Sequence, residues 1–392
     1  MKVLQIAHAS HSYFTEDGKK DIKEITLNDW YSKTAVHLKK YYPNIKVECL
    51  APEKKWKNKR KFIHKEIPFK FFPTNCSPIY ALDFSISLLK YINKEVKLAK
   101  KRKEKIILHL HEYHNLHGLL IATLFPKQKI IGQHHGGSWP LKHLRETKKY
   151  RYFFPLFWLG QLWENLVLKN INTFYALSKD ELLYLKKVAP RSKVRFQTMG
   201  IDEVCYKTAS KEKARKELNL KQNDKILVFL GRVNTTKGIP YILKAAKALK
   251  EIKFIIIGFG EVEKYKSITK KMKLKNVIFT GGIYGDKRFL YLSAMDAFIL
   301  PSSKEGAPVT VMESMARDRP CIVSNVGGVG LMIENGKNGI IIRPRNAKDI
   351  VYATNTIFKK PIKNSKKYAN AYKWEKIIND TIKDYGTPLN RA

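Results

Sequence analysis

The sequence predicts an α/β protein made of two doubly wound units, and three observations point there. Short β-rich apolar runs alternate with longer helical stretches along the chain. Those apolar runs are near-continuous, without inside–outside alternation, as in parallel strands buried on both faces. At 392 residues the chain exceeds one ordinary compact domain and suits two.

In the second half, strands are expected at Lys225–Leu230, Phe254–Ile257, Val277–Thr280, Ala297–Leu300 and Cys321–Ser324. Helices are expected between them at Ile239–Leu249, Val262–Met272, Lys287–Ala294 and Val309–Ala316, since parallel neighbours need crossover connections. The first half repeats the rhythm more loosely, with runs at Val3–Ala7, Val47–Leu50, Ile106–His109, Lys129–Gly132 and Thr173–Ala176. Ser178 and Glu181 have the form of a helix capping box, a structural signal. The lysine-rich runs 54–61 and 97–105 read as solvated faces or loops. A boundary is expected around Met199–Asp202, ahead of the charged stretch Ser210–Lys221, which suits a linker leading into a surface helix.

Hydrophobic residues at 44% and aromatics at 11% exclude a disordered or fibrous chain. The 75 Lys+Arg against 34 Asp+Glu leave a net charge of +41, which predicts attraction to something anionic. Nucleic acid, phosphorylated substrates and an acidic membrane surface all qualify. Against nucleic acid, the basic residues are spread along the chain and no nucleic-acid-binding motif is present. No apolar run approaches the roughly 20 residues of a spanning helix, and the opening Lys2–Ala7 is short for a signal-peptide core. Cys49, Cys76, Cys205 and Cys321 stand far apart without a CxxC pair, so neither a disulfide framework nor a zinc knuckle is signalled. The expectation is a soluble, cytoplasmic, two-domain protein.

The chemistry concentrates after two of the expected strands. Gly231-Arg232 ends one, and Lys237-Gly238 stands just before a helix, which puts two cations at the carboxyl end of the sheet. Ligands of open α/β sheets bind in that crevice, and Arg with Lys suits a diphosphate. In so basic a chain such a pair also arises without function. The run Pro301–Glu313 is more specific: a strand ends at Pro301, a loop carries Glu305-Gly306, and Pro308 stands where the first helical turn begins. The free N–H groups of that turn make an anion site. Glu305 then lies near whatever the anion carries, and Glu313 can accept hydrogen bonds from vicinal hydroxyls such as a ribose. The structural alternative is Glu305 as an electrostatic cap and Glu313 as a surface residue.

Gly231-Arg232, Lys237-Gly238, Gly258-Phe259-Gly260, the Glu305/Glu313 pair and Gly327-Gly328 together resemble the retaining GT-B glycosyltransferases of family 4, over about residues 200–344. The resemblance implies a GT-B fold, two Rossmann-like domains facing across a cleft. They would span residues 1–198 for the acceptor and 199–370 for the nucleotide sugar, with 371–392 a helix crossing back and Trp374 its anchor. It also implies Arg232 and Lys237 as a diphosphate clamp, and Glu313 as the ribose partner. Glu305 would be catalytic beside the transferring sugar, and Gly306, Ala307, Pro308, Val309 and Thr310 would contact sugar or phosphate. No cofactor and no metal are expected. The sequence departs from the pattern at Arg317-Asp318-Arg319-Pro320, where a small residue and glycine are usual, and at Leu331, where an acid is frequent. The family's glycine pair after the first strand is replaced by Ala7–Ser12.

In the first half, His111-Glu112 is similar to the family's strand end that brings a catalytic histidine toward the sugar, and His135-Gly136 to an acceptor-side His-Gly. His109, His114 and His117 are expected to be satisfied polar residues, although His109, His111 and His114 also have a spacing open to metal ligation. Residues 148–159 join basic to aromatic and apolar side chains, which suits either an anionic membrane surface or ordinary packing. Leu162, Trp163, Leu166 and Val167 have core-facing helical spacing. The expected function is retaining hexosyl transfer from a nucleotide-diphosphate sugar to a glycan or lipid-linked acceptor, in the cytoplasm or peripheral at the membrane's cytoplasmic face. The alternatives are a nucleotide-sugar epimerase of the same fold, a non-catalytic GT-B protein and a nucleic-acid-binding protein.

Overall fold

The computed structural model describes residues 1–7, 26–27, 29–54, 57–75, 83–135, 154–207, 209–283, 285 and 287–386. The chain divides into two compact units, one of residues 1–199 with 377–392 and one of residues 200–376.

The first unit is built on eight strands: β1 (Lys2–Ile6), β2 (Lys46–Glu53), β3 (Arg60–His64), β4 (Ile67–Pro73), β5 (Ile106–His111), β6 (Lys129–Gln133), β7 (Thr173–Ala176) and β8 (Lys193–Phe196). Their order is β3-β4-β2-β1-β5-β6-β7-β8, all parallel except the β3–β4 hairpin. Strand β5 is buried at every position, as the unbroken apolar pattern requires. The β3–β4 hairpin is missing from the sequence expectation. Its exposed Arg60 and Lys61 read as loop, yet they start a charged edge strand, a position where solvent-facing lysines are favourable.

The second unit carries six parallel strands: β9 (Lys225–Leu230), β10 (Ile252–Ile257), β11 (Val277–Gly281), β12 (Ala297–Leu300), β13 (Cys321–Ser324) and β14 (Gly339–Ile342). The order is β11-β10-β9-β12-β13-β14. The chain runs outward from β9 to β11, then restarts beside β9 at β12. The loops after β9 and β12 therefore leave in opposite directions and open a crevice between them.

The charged stretch expected to be a linker and surface helix is the helix Lys211–Glu217, but Arg215 in it is 1% exposed. Its guanidinium donates to the Ala294 carbonyl and pairs with Asp296, which keeps the charge compensated. The last helix, Trp374–Tyr385, starts in the second unit, where the buried Trp374 indole donates to Asp202 at 3.1 Å. From Ile377 on it counts with the first unit. There the Asp384 carboxylate accepts from Tyr175 at 2.9 Å and pairs with Lys193 and Arg195.

In the helix Phe154–Val167 one expectation is overturned. Trp163 and Val167 pack on the core, but Leu162 and Leu166 are 44% and 62% exposed. The same spacing serves an inward and an outward stripe, and the neighbouring helices decide which is which. Of the stretch 148–159, residues 148–153 lie outside the described residues. Among the described residues no helix is long and apolar enough to cross a membrane.

Candidate active site

The crevice between the β9 and β12 loops is a cavity of about 520 Å³ lined by Arg232, Lys237, Glu305, Pro308, Val309 and Thr310, among others. Two glycines set its shape. Gly238 has φ +83°, and a Cβ there would lie 2.1 Å from the Pro301 carbonyl oxygen. Gly327 has φ +57°, and a Cβ would lie 1.9 Å from the Glu305 carbonyl oxygen. Only glycine takes both the left-handed backbone and the contact. The loops are then tied by Ser303 N–H donating to the Thr236 carbonyl at 2.8 Å and Gly328 N–H donating to Gly306 at 2.7 Å.

Lys237 Nζ sits 2.7 and 2.8 Å from the two Glu305 oxygens, and the buried Ser302 hydroxyl donates to Oε1 at 2.6 Å. Arg232 is exposed and, among the described residues, has no ion-pair or hydrogen-bond partner. The helix Val309–Ala316 is capped by Pro308, which offers no side-chain acceptor, so the first-turn amides of Val309 and Thr310 open on the cavity. A free guanidinium, an ammonium and a helix N-terminus round one crevice are the chemistry of an anion site. Gly306 and Ala307 do not line it; the Gly306 carbonyl is held by Gly328.

Glu313 lies away from that lining and is 5% exposed, so it is not a surface residue. Arg288 Nη2 donates to its Oε1 at 3.0 Å, and the Cys205 thiol lies 4.0 Å from the same oxygen.

In the first unit, β5 and β6 bring the histidines together beside β1, where the strand order also reverses. Gln5 donates through its amide to Tyr385 Oη, and that hydroxyl donates to His109 Nδ1 at 2.7 Å. His109 Nε2 then donates to Gln133 at 3.1 Å. By the same assignment His111 Nε2 donates to Gln5 Oε1 at 2.6 Å and Nδ1 accepts from His135 Nε2 at 2.8 Å. His111 is 2% exposed and stacks on His135. Gly136 lies outside the described residues.

His114 pairs with Glu164 at 2.8 Å, and His134 with Glu181 at 2.8 Å. Ser178 does cap its helix, accepting from Glu181 N–H at 3.1 Å, while the Glu181 carboxylate reaches back to Leu177 N–H at 2.9 Å rather than to Ser178 and accepts from Tyr113 Oη at 2.5 Å. Among the described residues no His, Cys, Asp or Glu group is arranged to hold a metal. His117 is not satisfied as expected: it is buried, and neither ring nitrogen has a partner.

Burial lowers the His117 pKa from 6.5 to about 4. The unfolded chain therefore binds the extra proton between pH 6.5 and 4, and stability falls across that window. His117→Leu is expected to remove this loss, up to about 3 kcal/mol at the acid end, read as a flatter profile of melting temperature against pH. An unchanged profile would locate the acid sensitivity elsewhere.

Residues 210–374 match the family model of glycosyl transferases group 1. Relatives agree with it along more of the chain. An uncharacterized glycosyltransferase of Methanocaldococcus jannaschii is 28% identical over 213 residues, 50% of this chain and 54% of that protein. The UDP-Gal:alpha-D-GlcNAc-diphosphoundecaprenol alpha-1,3-galactosyltransferase of Escherichia coli is 26% identical over 298 residues, 72% of this chain and 73% of that protein. The solved HepE protein of Anabaena in complex with UDP superposes at TM-score 0.67 with 17% identity, covering 98% of this chain and 100% of that one. Residues 210–374 are thus similar to the group 1 glycosyltransferases, and the chain has the GT-B fold. It spans about half the length of the first of these relatives.

Within the family pattern, the departure at Arg317–Pro320 now has a physical account. Asp318 takes φ +58°, the left-handed conformation that glycine usually supplies, and its carboxylate accepts from Lys366 N–H at 3.0 Å. Arg317 is 4% exposed, donates to Ser293 and to the Val204 carbonyl, and stacks on Phe289. Leu331, where the family often has an acid, is 40% exposed. Sequence reading assigned no role to Ser302, although it stands within the Pro301–Glu313 run. It also missed Arg288 and Gln5, whose partners are distant in sequence and carry no local signal.

Proposed function

We propose that this protein is a retaining glycosyltransferase that moves a hexose from a nucleotide-diphosphate sugar to a glycan or lipid-linked acceptor, in cell-surface glycan or glycolipid assembly. The observation that carries the reading is the switch-point cavity, where Arg232, Lys237 and the uncapped start of the helix Val309–Ala316 meet Glu305. Charge grows on the leaving diphosphate during transfer, and fixed donors aimed at it are a large electrostatic term. In this proposal Arg232, Lys237 and the Val309 and Thr310 amides supply that stabilisation, so no metal is called on.

Glu305 would stabilise the oxocarbenium-like carbon or hold its hydroxyls, and Glu313, oriented by Arg288, would take the ribose. The first unit would take the acceptor. His111 has both ring nitrogens engaged by Gln5 and His135, so a role toward the sugar requires that one of these bonds re-partner. Uridine is the first base to test, because the Escherichia coli relative is named for UDP-Gal and HepE was solved with UDP. Cytoplasmic location at a membrane face belongs to the same proposal, since that relative's acceptor is a diphosphoundecaprenol lipid.

The test is a titration with UDP-, GDP-, ADP- and dTDP-sugars, followed by turnover with and without acceptor. Arg232→Ala and Lys237→Ala are each expected to weaken nucleotide-diphosphate binding about 10- to 100-fold, the loss of one charge-assisted contact. Unchanged binding would remove the clamp from the proposal. Donor consumption without acceptor would mark an epimerase or hydrolase, and binding without turnover a silent adaptor.

A further inference from the structure

Four helices of the first unit, Ile86–Lys101, Leu116–Leu124, Phe154–Val167 and Lys179–Val188, pack their inner sides on one apolar core that includes Leu88, Leu119, Val167 and Leu185. The last three are also joined side by side: Asn170, just past the third helix, donates to the Ala122 carbonyl, and Tyr184 donates to Asn165 at 2.7 Å. Their outer sides thus make one surface, and the helix Ile86–Lys101 packs on the same core. On it the helix Phe154–Val167 exposes Trp158 (60%), Leu159 (62%), Leu162 (44%) and Leu166 (62%), an unbroken stripe along one helix face. Leu124 and Leu183, 55% and 59% exposed, stand on the helices to either side.

Single exposed leucines need no explanation, but a contiguous stripe with a tryptophan marks an interaction surface. The surrounding charge indicates the partner. The helix Ile86–Lys101 exposes Lys90, Lys94, Lys97, Lys100 and Lys101, and Lys179–Val188 exposes Lys186 and Lys187. The glutamates of these helices turn away from that surface: Glu164 and Glu181 are buried, and Glu95 pairs with Lys2. Asp180 is the exposed acid among them. A second copy would set these lysines against their own like. An anionic bilayer supplies both an apolar interior for the stripe and negative headgroups for the lysines.

We propose that this face of the first unit docks on an anionic lipid surface, with the helix Phe154–Val167 lying along the headgroup–acyl boundary and Trp158 at the headgroup level. Such docking would bring the acceptor-binding unit to a lipid-linked acceptor, and to that extent it rests on the proposed function. The binding itself needs neither donor nor turnover.

The full chain is floated with phosphatidylcholine vesicles, with and without phosphatidylglycerol. It is expected to float with the phosphatidylglycerol vesicles and to stay behind with pure phosphatidylcholine, and added salt should weaken the association. Leu162→Ser and Leu166→Ser, at exposed positions, are each expected to lose about tenfold in vesicle affinity, the scale of an inserted leucine side chain. Lys94→Gln with Lys97→Gln should weaken binding to phosphatidylglycerol vesicles. UDP titration of each variant should match the parent, which separates this result from any failure of the glycosyltransfer reading. Equal flotation of parent and leucine variants overturns the proposal, as does flotation indifferent to phosphatidylglycerol. A dimer in sedimentation that the leucine variants abolish would also overturn it and assign the stripe to a second copy.

Discussion

Glu305→Gln is expected to bind UDP about tenfold more tightly than the parent while losing glycosyl transfer by roughly 100- to 1,000-fold. The opposite signs follow from one contact. In the structure Lys237 is paired with both Glu305 oxygens, and the Ser302 hydroxyl holds the same carboxylate in place. A diphosphate entering the cavity must share Lys237 with that carboxylate and accept its repulsion. At an effective dielectric near 20, a like charge several ångströms away costs on the order of 1–3 kcal/mol. Glutamine keeps the shape and the Ser302 contact but removes the charge. Under the proposed function Lys237 would then serve the phosphate alone, while the transferring sugar would lose the anion beside it. Calorimetric titration with UDP and single-turnover rates with the UDP-sugar measure the two effects separately. Parallel losses of binding and rate would reassign Glu305 to maintaining the loop. Ser302→Ala should move in the same direction by a smaller amount, since it loosens the carboxylate without neutralising it.

The second large effect is expected at Gly238. Gly238→Ala would place a methyl group 2.1 Å from the Pro301 carbonyl oxygen on a backbone at φ +83°. The left-handed conformation alone costs about 1–2 kcal/mol for an L-residue. Relieving the overlap requires the β9 and β12 loops to part, breaking the Ser303-to-Thr236 hydrogen bond. The total is expected at ~3–5 kcal/mol of stability. Lys237 is the adjacent residue, so UDP binding should fall by at least about 100-fold in the fraction that remains folded, the scale of an ångström-sized misplacement. Gly336→Ala is the control: its φ is +79° and nothing lies within 4 Å of the added carbon, so only the backbone term applies. Thermal unfolding and titration of the two variants compare them directly. Equal effects at Gly238 and Gly336 would show that the close approach of the loops carries no function.

The sequence showed the second unit more clearly than the first. Strands β9, β12 and β13 and the helices Lys287–Ala294 and Val309–Ala316 have the bounds read from the residues alone. Each is an apolar run or helical stripe between unambiguous breakers, so local preference and tertiary burial agree. The β3–β4 hairpin and the edge strands β8 and β14 escaped. Edge strands are short or charged, and their identity comes from pairing with a neighbour rather than from their own composition. Likewise, nothing local distinguishes Leu162 and Leu166, which face out, from Trp163 and Val167, which face in.

For the site, residue types and spacing were enough to single out Arg232, Lys237, Glu305 and the Pro308 helix start. Glycines and a proline at strand ends prescribe their turns through backbone sterics, which act over a few residues. Only the folded chain showed that Lys237 is paired with Glu305, that Arg288 holds Glu313, and that Gln5 and His135 occupy both nitrogens of His111. Those partners lie 24 to 106 positions apart in the chain. Hydrogen bonds and ion pairs depend on ångström-scale proximity, and that is decided by strand order and loop packing.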